Sequence, residues 1–309
     1  MTTPLRRAAS LRAQVTAAPL RLLESLAEPV REDLRRDVRR SLGASGRPLR
    51  AVTDPTEAYL DPDAVARRVH GDLPSMLIGG LSALFLQSLH PLAMAGVADH
   101  SRYEDDPLGR LRRTAAFVGY TTFGTEDEAL QAIETVQRVH HRVRGVAPDG
   151  RPYSASDPEL VTWVHAAEMW SFLAASRRYG NLRLTAEERD RYYAETAPVA
   201  YELGAEWVPR SADEMEAYFR RVRGELFAGA QARYARDFLL RGVGRRPEDR
   251  LLYSVIVSAA IGLLPVWARR ELEVATLPVF DVVSVPVVRI FCAGLRWALQ
   301  PPPSSSAGR

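Results

Sequence analysis

Apolar residues recur along most of the chain at spacings of three and four, which is the period of an amphipathic helix. No segment alternates convincingly as a strand would, and nothing repeats at a fixed period. Helix-start signals precede three segments, at Asp157, Thr185 and Ser211. The pattern predicts an all-α fold with helices over residues 22–42, 62–71, 73–98, 107–122, 126–144, 157–178, 185–203, 211–239, 248–264 and 276–298.

The two ends of the chain differ in composition from the part between them. Residues 1–50 are rich in arginine, which predicts a weakly ordered arm leading into an amphipathic helix. Residues 299–309 contain PPPSSSAGR, a composition typical of flexible tails. We therefore expect a single helical domain over residues 51–298, with the arm before it and a disordered tail after it.

The overall composition is ordinary for a soluble globular protein, with 46% hydrophobic and 26% charged residues. The formal net charge of +3 is small for this length, so we expect no nucleic-acid partner. Cys292 is the only cysteine, which excludes an internal disulfide, a cysteine-ligated iron–sulfur cluster and a multi-cysteine zinc site. The single cysteine and the lack of a secretory apolar region favour the cytoplasm.

One uncharged stretch, LLYSVIVSAAIGLLPVWA at residues 251–268, is at the lower length limit of a membrane-spanning helix. Pro265 interrupts it, and Arg269 and Arg270 follow directly. These features favour a buried helix, and they leave peripheral contact with a membrane open.

Two adjacent histidines, His140 and His141, stand in the segment VQRVHHRVRG. On a helix with 100° per residue, His140 falls within the apolar stripe and His141 falls on the polar side. His140 is then either a buried neutral imidazole bonded to a carbonyl, or a ligand of a metal or haem iron. His141 is expected to face solvent. The apolar stripe consists of Ala129, Ala132, Ile133, Val136, Val139 and Val143.

A second group of candidate residues lies on the helix predicted at 107–122. Arg110, Arg113, Thr114 and Phe117 share one face about 100° wide, because of their i, i+3, i+4, i+7 spacing. The arginines either extend to solvent or pair with Asp105 and Asp106, or they serve a buried anion such as a haem propionate or bound peroxide.

Other histidines occur near these segments. His90 precedes Pro91 at the end of an apolar helix, and His100 precedes Ser101. His165 and Glu168 are i, i+3 neighbours on a helix that is apolar nearly all round, where they could hydrogen-bond to each other. A structural role for His165 is the simpler interpretation. The residues alone leave open whether His90, His100 or His165 lines a functional site.

Motifs for nucleotide-binding loops, zinc proteases and serine hydrolases are missing from the sequence. Four other blocks occur in order: LHPLAMAGVADHS (89–101), RLRRT (110–114), VHHRVRG (139–145) and YSASDPELVTWVH (153–165). Taken together, they resemble the DUF2236 family, which includes the fungal oxygenase MpaB and the bacterial latex-clearing protein, a rubber oxygenase. The resemblance covers about residues 55–295.

This resemblance implies a globin-like all-α core around one b-type haem, with His140 as the proximal ligand of the iron. It also implies that Arg110 and Thr114 belong to the distal helix, beside apolar walls that include Phe117 and Phe123. A distal lysine of the rubber oxygenase, which can cap the iron, matches Arg113. Arginine stays protonated and is a poor iron ligand, so we do not expect that capped state here.

The function implied by the resemblance is a haem b-dependent oxygenase that attacks a hydrophobic small molecule with dioxygen or peroxide. Arg110, Arg113 and Thr114 would stabilise charge on the oxidant. Two other classes stay open: a haem-binding sensor or carrier without turnover, and a haem-free helical scaffold. An absorption spectrum of the purified protein distinguishes them.

Overall fold

A computed structural model describes residues 52, 54–101, 106–242, 247–274 and 278–299. The helix predicted at 22–42, the N-terminal arm and nearly all of the predicted tail lie outside these residues. The chain divides into two compact units, residues 45–292 and residues 1–44 with 293–309. Of the second unit only residues 293–299 are described, as the end of a helix.

The described part is mostly helical, which confirms the all-α prediction. Short 3-10 turns occupy Pro55–Glu57 and Arg223–Glu225. The α-helices, in chain order, are α1 (Val65–His70), α2 (Leu73–Gln87), α3 (Pro91–His100), α4 (Pro107–Phe123), α5 (Glu126–His140), α6 (Pro158–Tyr179), α7 (Ala186–Glu202), α8 (Ala212–Val222), α9 (Ala230–Arg241), α10 (Pro247–Leu263), α11 (Val266–Glu271) and α12 (Pro278–Leu299).

Side-chain caps fix several helix starts where the sequence predicts them. Thr185 accepts a hydrogen bond from the backbone N–H of Glu188, whose carboxylate accepts from the Thr185 N–H in return. Ser211 and Asp157 cap α8 and α6 in the same way with a single bond each. Each cap satisfies a backbone donor that has no partner inside its helix.

Two segments predicted as single helices are broken. The segment 73–98 divides into α2 and α3, which are bent by 106° at residues 88–90. Pro91 begins α3 because a proline lacks the N–H that a continuing helix would need. The segment 211–239 divides at residues 223–229, where the backbone N–H of Phe227 donates to the carbonyl oxygen of Leu89 at 2.9 Å.

A small antiparallel hairpin was not predicted. Strand β1 (Arg144–Val146) pairs with β2 (Pro152–Ser154), with Gly145 opposite Tyr153. Gly150 in the connecting turn has φ +84°, a conformation that glycine adopts without strain. Strands of three residues are too short for an alternating pattern to be recognised in sequence. As a result α5 ends at His140 and not at residue 144.

The core is built on the packing of α2 against α6, with α10 covering both. Gly79 allows the close approach, because a Cβ there would lie 3.0 Å from the Cα of Phe172. Helix α6 is buried nearly all round, as predicted, and Trp163 and Tyr179 are among its fully buried side chains. Burial of each such large side chain stabilises the fold by about 1.5–3 kcal/mol.

The prediction of a buried helix at 251–268 holds in part: residues 259–264 are buried, whereas Ser254 and Val266 are exposed, and Pro265 marks the break between α10 and α11. Within the described ranges no single helix is long and apolar enough to cross a membrane. The bent pair of α2 and α3 meets that test only when the two helices are taken together.

Helices α4 and α5 form an antiparallel pair at one side of the core. They pack chiefly on each other, and α4 also touches α1. Helix α6 instead packs on α1, α2, α3, α7 and α10. The hairpin β1–β2, which follows α5, packs on α3. The C-terminal end of α5 therefore lies where α3, the hairpin and the start of α6 come together.

Candidate functional site

His140 is the last residue of α5, a helix that begins at a capping box of Thr125 and Glu128. Its side chain is half-buried, but its Nδ1 atom is fully buried and has no hydrogen-bond partner. Burial lowers the pKa of His140, and the neighbouring His141 lowers it further. The ring is therefore neutral at pH 7, as a metal ligand must be.

An unpartnered buried nitrogen is costly. A buried polar atom without a partner destabilises a fold by about 1–3 kcal/mol, so native proteins keep few of them outside functional sites. Across the described residues His140 has no hydrogen bond through either ring nitrogen. The predicted structural alternative, a buried imidazole bonded to a carbonyl, is therefore wrong. The ring retains its full capacity to bind another group.

His141 and Val139 flank His140 and behave differently from it. His141 is exposed, and a hydrogen bond of 3.3 Å joins its Nδ1 to the Ser156 hydroxyl. The prediction that His141 faces solvent is thus confirmed. The prediction that Val139 belongs to the buried stripe is wrong, because its side chain is 54% exposed. Val146 on β1 is also exposed, at 65%, so apolar surface is accessible on both sides of His140 along the chain.

All four sequence blocks meet at this end of α5. The first two are joined by Arg110, whose Nη1 donates to the Ser101 hydroxyl at 2.6 Å. The first and third are joined by His100, whose Nε2 lies 3.3 Å from the carbonyl oxygen of Arg144. The first and fourth are joined by Tyr153, whose hydroxyl donates to Asp99 at 2.5 Å. We call this convergence of the four blocks the motif junction.

One glycine allows the close packing at the motif junction. A Cβ on Gly145 would lie 2.6 Å from the Tyr153 hydroxyl oxygen, closer than any real Cβ contact. A Cβ on Gly96 would lie 3.4 Å from the Val143 side chain and 3.5 Å from the Tyr153 ring, which are ordinary van der Waals distances. Glycine in the third block therefore lets the chain after His140 approach Tyr153 of the fourth block. The same packing holds the chain just after His140.

Helix α4 presents the other predicted site residues. Arg110 is half-buried and fixed by Ser101. Arg113 is 70% exposed and pairs with Asp106 at 3.3 Å, so one predicted pairing is confirmed. Thr114 is exposed and Phe117 is half-buried. Asp105, the other predicted partner, lies outside the described residues.

These residues are not bonded to His140. In the described ranges no hydrogen bond or ion pair joins it to Arg110, Arg113 or Thr114. Phe123, predicted as a pocket wall, packs against Arg67, whose guanidinium lies 5.4 Å from the ring centroid. Of the predicted set, Arg110 and His140 are placed in the motif junction.

The first histidine of the blocks is His90. His90 is buried at the start of α3, and its Nε2 is 3.9 Å from a carboxylate oxygen of Glu225. Burial lowers the pKa of His90, the charge of Glu225 opposes this, and the ring's Nδ1 is also unpartnered. His90 is a second neutral buried histidine with one nitrogen unused.

A buried polar cluster at the centre of the domain includes a histidine that sequence reasoning missed. His70 at the end of α1 uses both ring nitrogens, one with the Thr122 hydroxyl at 2.8 Å and one with the Tyr192 hydroxyl at 3.0 Å. Burial lowers the pKa of His70 to about 3, with a smaller effect from His165. A signal was present, because Val65, Ala66 and Val69 mark α1 as an apolar helix.

His165 and Glu168 complete this central cluster on α6. Burial lowers the pKa of His165 to about 4 and raises the pKa of Glu168 to about 7. Glu168 retains some accessible surface despite its deep position. The predicted hydrogen bond between these two side chains is not formed. No described residue is hydrogen-bonded to either group.

Protein side chains alone do not form a metal site in the described part. There, no group of three or more histidine, cysteine, aspartate or glutamate side chains is placed to hold a metal ion. A protein-ligated zinc or similar ion needs at least three such ligands, whereas haem iron takes a single protein histidine on its proximal side.

Comparison with known families matches residues 67–297 to the catalytic domain described as ER-bound oxygenase mpaB/B′/rubber oxygenase. Searches of curated proteins and of solved structures returned no significant match. The matched range contains the four blocks, the motif junction and the central cluster. It covers well over half of the chain, so this protein belongs to the mpaB/rubber oxygenase catalytic-domain family and carries an oxygenase domain.

Proposed function

We propose that this protein is a haem b-dependent oxygenase that oxidises a hydrophobic small molecule, with His140 as the protein ligand of the iron. The observation that carries the proposal is the buried, unpartnered Nδ1 of His140 at the junction of the four blocks. Family membership supports the oxygenase class, and the histidine chemistry supports haem.

The residues at the motif junction fit a haem in three respects. His140 is neutral and has no protein partner, so its ring is available to iron. A histidine without a protein partner suits a cofactor whose macrocycle would supply most of the ligands of the iron. The exposed side chains of Val139 and Val146 offer apolar surface to the cofactor or to a hydrophobic substrate.

When bound, the haem would supply the redox chemistry of dioxygen or peroxide, and the chain's own residues would orient the reactants. Arg110, fixed on Ser101, would be a constant positive charge and hydrogen-bond donor toward an anionic group. The hydroxyl of Thr114, one turn along the same face of α4, would be a second donor.

Arg113 has a different role from Arg110 in this proposal. Its ion pair with Asp106 is on the surface, and such pairs contribute only about 0–1 kcal/mol. Arg113 can therefore leave Asp106 and reach a developing negative charge at little cost. Because arginine keeps its proton, Arg113 would act through charge and hydrogen bonds and not as an iron ligand.

An absorption spectrum tests the proposal. The full chain, produced with haem supplied, should show a Soret band, and His140→Ala should lose it. His141→Ala is the matched control, because it removes the adjacent histidine that already bonds to Ser156, and it should keep the band. A colourless wild-type protein would instead favour a haem-free scaffold, and a coloured protein that consumes neither dioxygen nor peroxide would favour a carrier.

A further inference from the structure

A half-open cavity of about 210 Å³ lies between α6, α7 and α8, on residues that the oxygenase mechanism does not use. Its floor is aromatic and apolar, and its rim carries arginines. An apolar cavity of about 150 Å³ is large enough for benzene, so this one can hold a somewhat larger molecule. The lining residues are Trp170, Leu173, Arg177, Arg189, Tyr193, Ala212, Met215, Glu216 and Phe219.

The two arginines of the cavity have no carboxylate partner. Arg177 is exposed and forms no hydrogen bond or ion pair with any described residue. Arg189 donates only to the backbone carbonyl of Thr185, at 3.3 Å. Burial raises the pKa of the Tyr193 phenol, and the positive charges of Arg177 and Arg189 both oppose that rise.

The nearby acids are already engaged. Glu216 pairs with Arg220 at 2.7 Å, and Asp190 accepts a hydrogen bond from the backbone N–H of Ala212 at 2.8 Å. Neither Arg177 nor Arg189 therefore has an ion pair with a described carboxylate, although the charge of Arg189 also acts on Glu187 and that of Asp190 acts on Tyr193. A guanidinium binds a carboxylate through paired hydrogen bonds, which suits a carboxylate ligand better than a neutral one.

The buried wall of the cavity also has unused polar groups. Tyr193 is only 4% exposed, yet its hydroxyl has no hydrogen-bond partner among the described residues. Trp170 packs edge-on against Phe219, with ring centroids 5.7 Å apart, and its indole N–H is likewise unpartnered there. An aromatic ring stacks well on such a floor.

We propose that this cavity binds a small aromatic carboxylate, with the ring packed against Trp170 and Phe219 and the carboxylate held by Arg177 and Arg189. The Tyr193 hydroxyl donates a further hydrogen bond to the carboxylate. The site is separate from His140 and does not require haem. Its ligand is a second small molecule recognised by this domain, in addition to the oxygenase substrate.

Calorimetric titration of the full chain with benzoate tests this site. Benzoate should bind, and benzamide, which has the same shape without the charge, should bind at least about tenfold more weakly. Acetate and inorganic phosphate supply the charge without the ring, and both should bind more weakly than benzoate. Equal binding of acetate or phosphate, or no benzoate binding in the millimolar range, would overturn the proposal.

Variants locate the binding. Arg177→Gln and Arg189→Gln should each weaken benzoate binding about tenfold, because each loses a charge-assisted hydrogen bond. Arg183→Gln is the matched control: it removes the same charge from an exposed position outside the cavity and should bind benzoate as the wild type does. Tyr193→Phe keeps the buried ring and should weaken binding severalfold. Equal affinity in the wild type and all of these variants would place the benzoate elsewhere and overturn the assignment.

Discussion

His70 and His140 are both neutral through burial, but they use their ring nitrogens in opposite ways. His70 bonds to Thr122 and Tyr192 and so has no capacity left for a ligand. His140 bonds to neither side chain nor backbone among the described residues and keeps both nitrogens. A lowered pKa alone therefore does not distinguish a structural histidine from a functional one. The hydrogen-bond partners do.

The surroundings of His70 and His140 also differ in how much side-chain surface is exposed. The central cluster around His70 lies among fully buried side chains such as Tyr192. The motif junction around His140 has exposed apolar surface at Val139 and Val146. The ring nitrogens of His70 are satisfied within the fold, whereas those of His140 are left for another molecule.

The largest expected effect is on haem binding, and it is measured by substituting each of the two histidines in turn. His140→Ala should abolish the Soret band completely and change the free energy of unfolding of the haem-free protein little, since it also removes an unpartnered nitrogen. His70→Ala should retain the band. Absorption spectra and urea denaturation of both variants check this. If His70→Ala loses the band while folded, the comparison fails.

The second-largest expected effect is on the rate at which the enzyme consumes its oxidant. Arg110→Gln and Arg113→Gln should each lower oxidant consumption by about 10²-fold, since each removes a positive donor toward developing charge. Only Arg110→Gln should also lower stability, because Arg113 is paired at the surface. Arg138→Gln, an exposed arginine on α5 bonded to Thr135, is the control and should change neither. Unchanged oxygen or peroxide consumption in Arg113→Gln would remove it from the mechanism.

The third effect measures the central cluster itself. His70→Ala leaves the buried hydroxyls of Thr122 and Tyr192 without their partner and opens a cavity, so we expect a loss of about 3 kcal/mol in the free energy of unfolding. Urea denaturation measures the loss. His141→Ala, at an exposed position, should stay within about 0.5 kcal/mol of the wild type. Equal small losses in both variants would show that the His70 hydrogen bonds contribute little.

How far the sequence predicts this structure differs between the two regions. Helical periodicity predicts α4, α6 and α7 within one or two residues and separates His140 from His141, because both depend on local spacing. It misses the break before Pro91, the strand pair after His140 and the exposure of Val139. The strands are too short to show an alternating pattern, and the chain just before Pro91 is bonded to a distant residue, since the carbonyl of Leu89 accepts from the backbone N–H of Phe227.

The sequence predicts which residues belong to the candidate site but not how those residues are arranged in space. Spacing places Arg110 and Arg113 on one face, but the bond from Arg110 to Ser101 and the approach of Gly145 to Tyr153 arise only when the blocks fold together. The bonds of His70 join three helices far apart in sequence. Periodicity can mark such a residue as buried and cannot name its partners.

The smallest effect is the pH dependence of stability set by the central cluster. Glu168 has a folded pKa of about 7, above its usual 4.5, so its contribution to stability is present below pH 4.5 and is lost as the pH rises to 7. His70 and His165 have lowered folded pKa values, so their contribution is present above pH 6.5 and is lost as the pH falls toward 4. Between pH 4.5 and 6.5 the carboxyl and the histidines therefore act in opposite directions.

Glu168→Gln should make this opposition visible. The amide keeps the shape of the side chain and removes its titration, so the free energy of unfolding of the variant should rise more steeply between pH 4.5 and 6.5 than that of the wild type. The difference should accumulate to about 1–3 kcal/mol by pH 7. Glu216→Gln, an exposed carboxylate paired with Arg220, is the control and should leave the slope unchanged. Parallel pH profiles for Glu168→Gln and the wild type would mean that the carboxyl of Glu168 is solvated in the folded protein, and that the central cluster is as open as the motif junction.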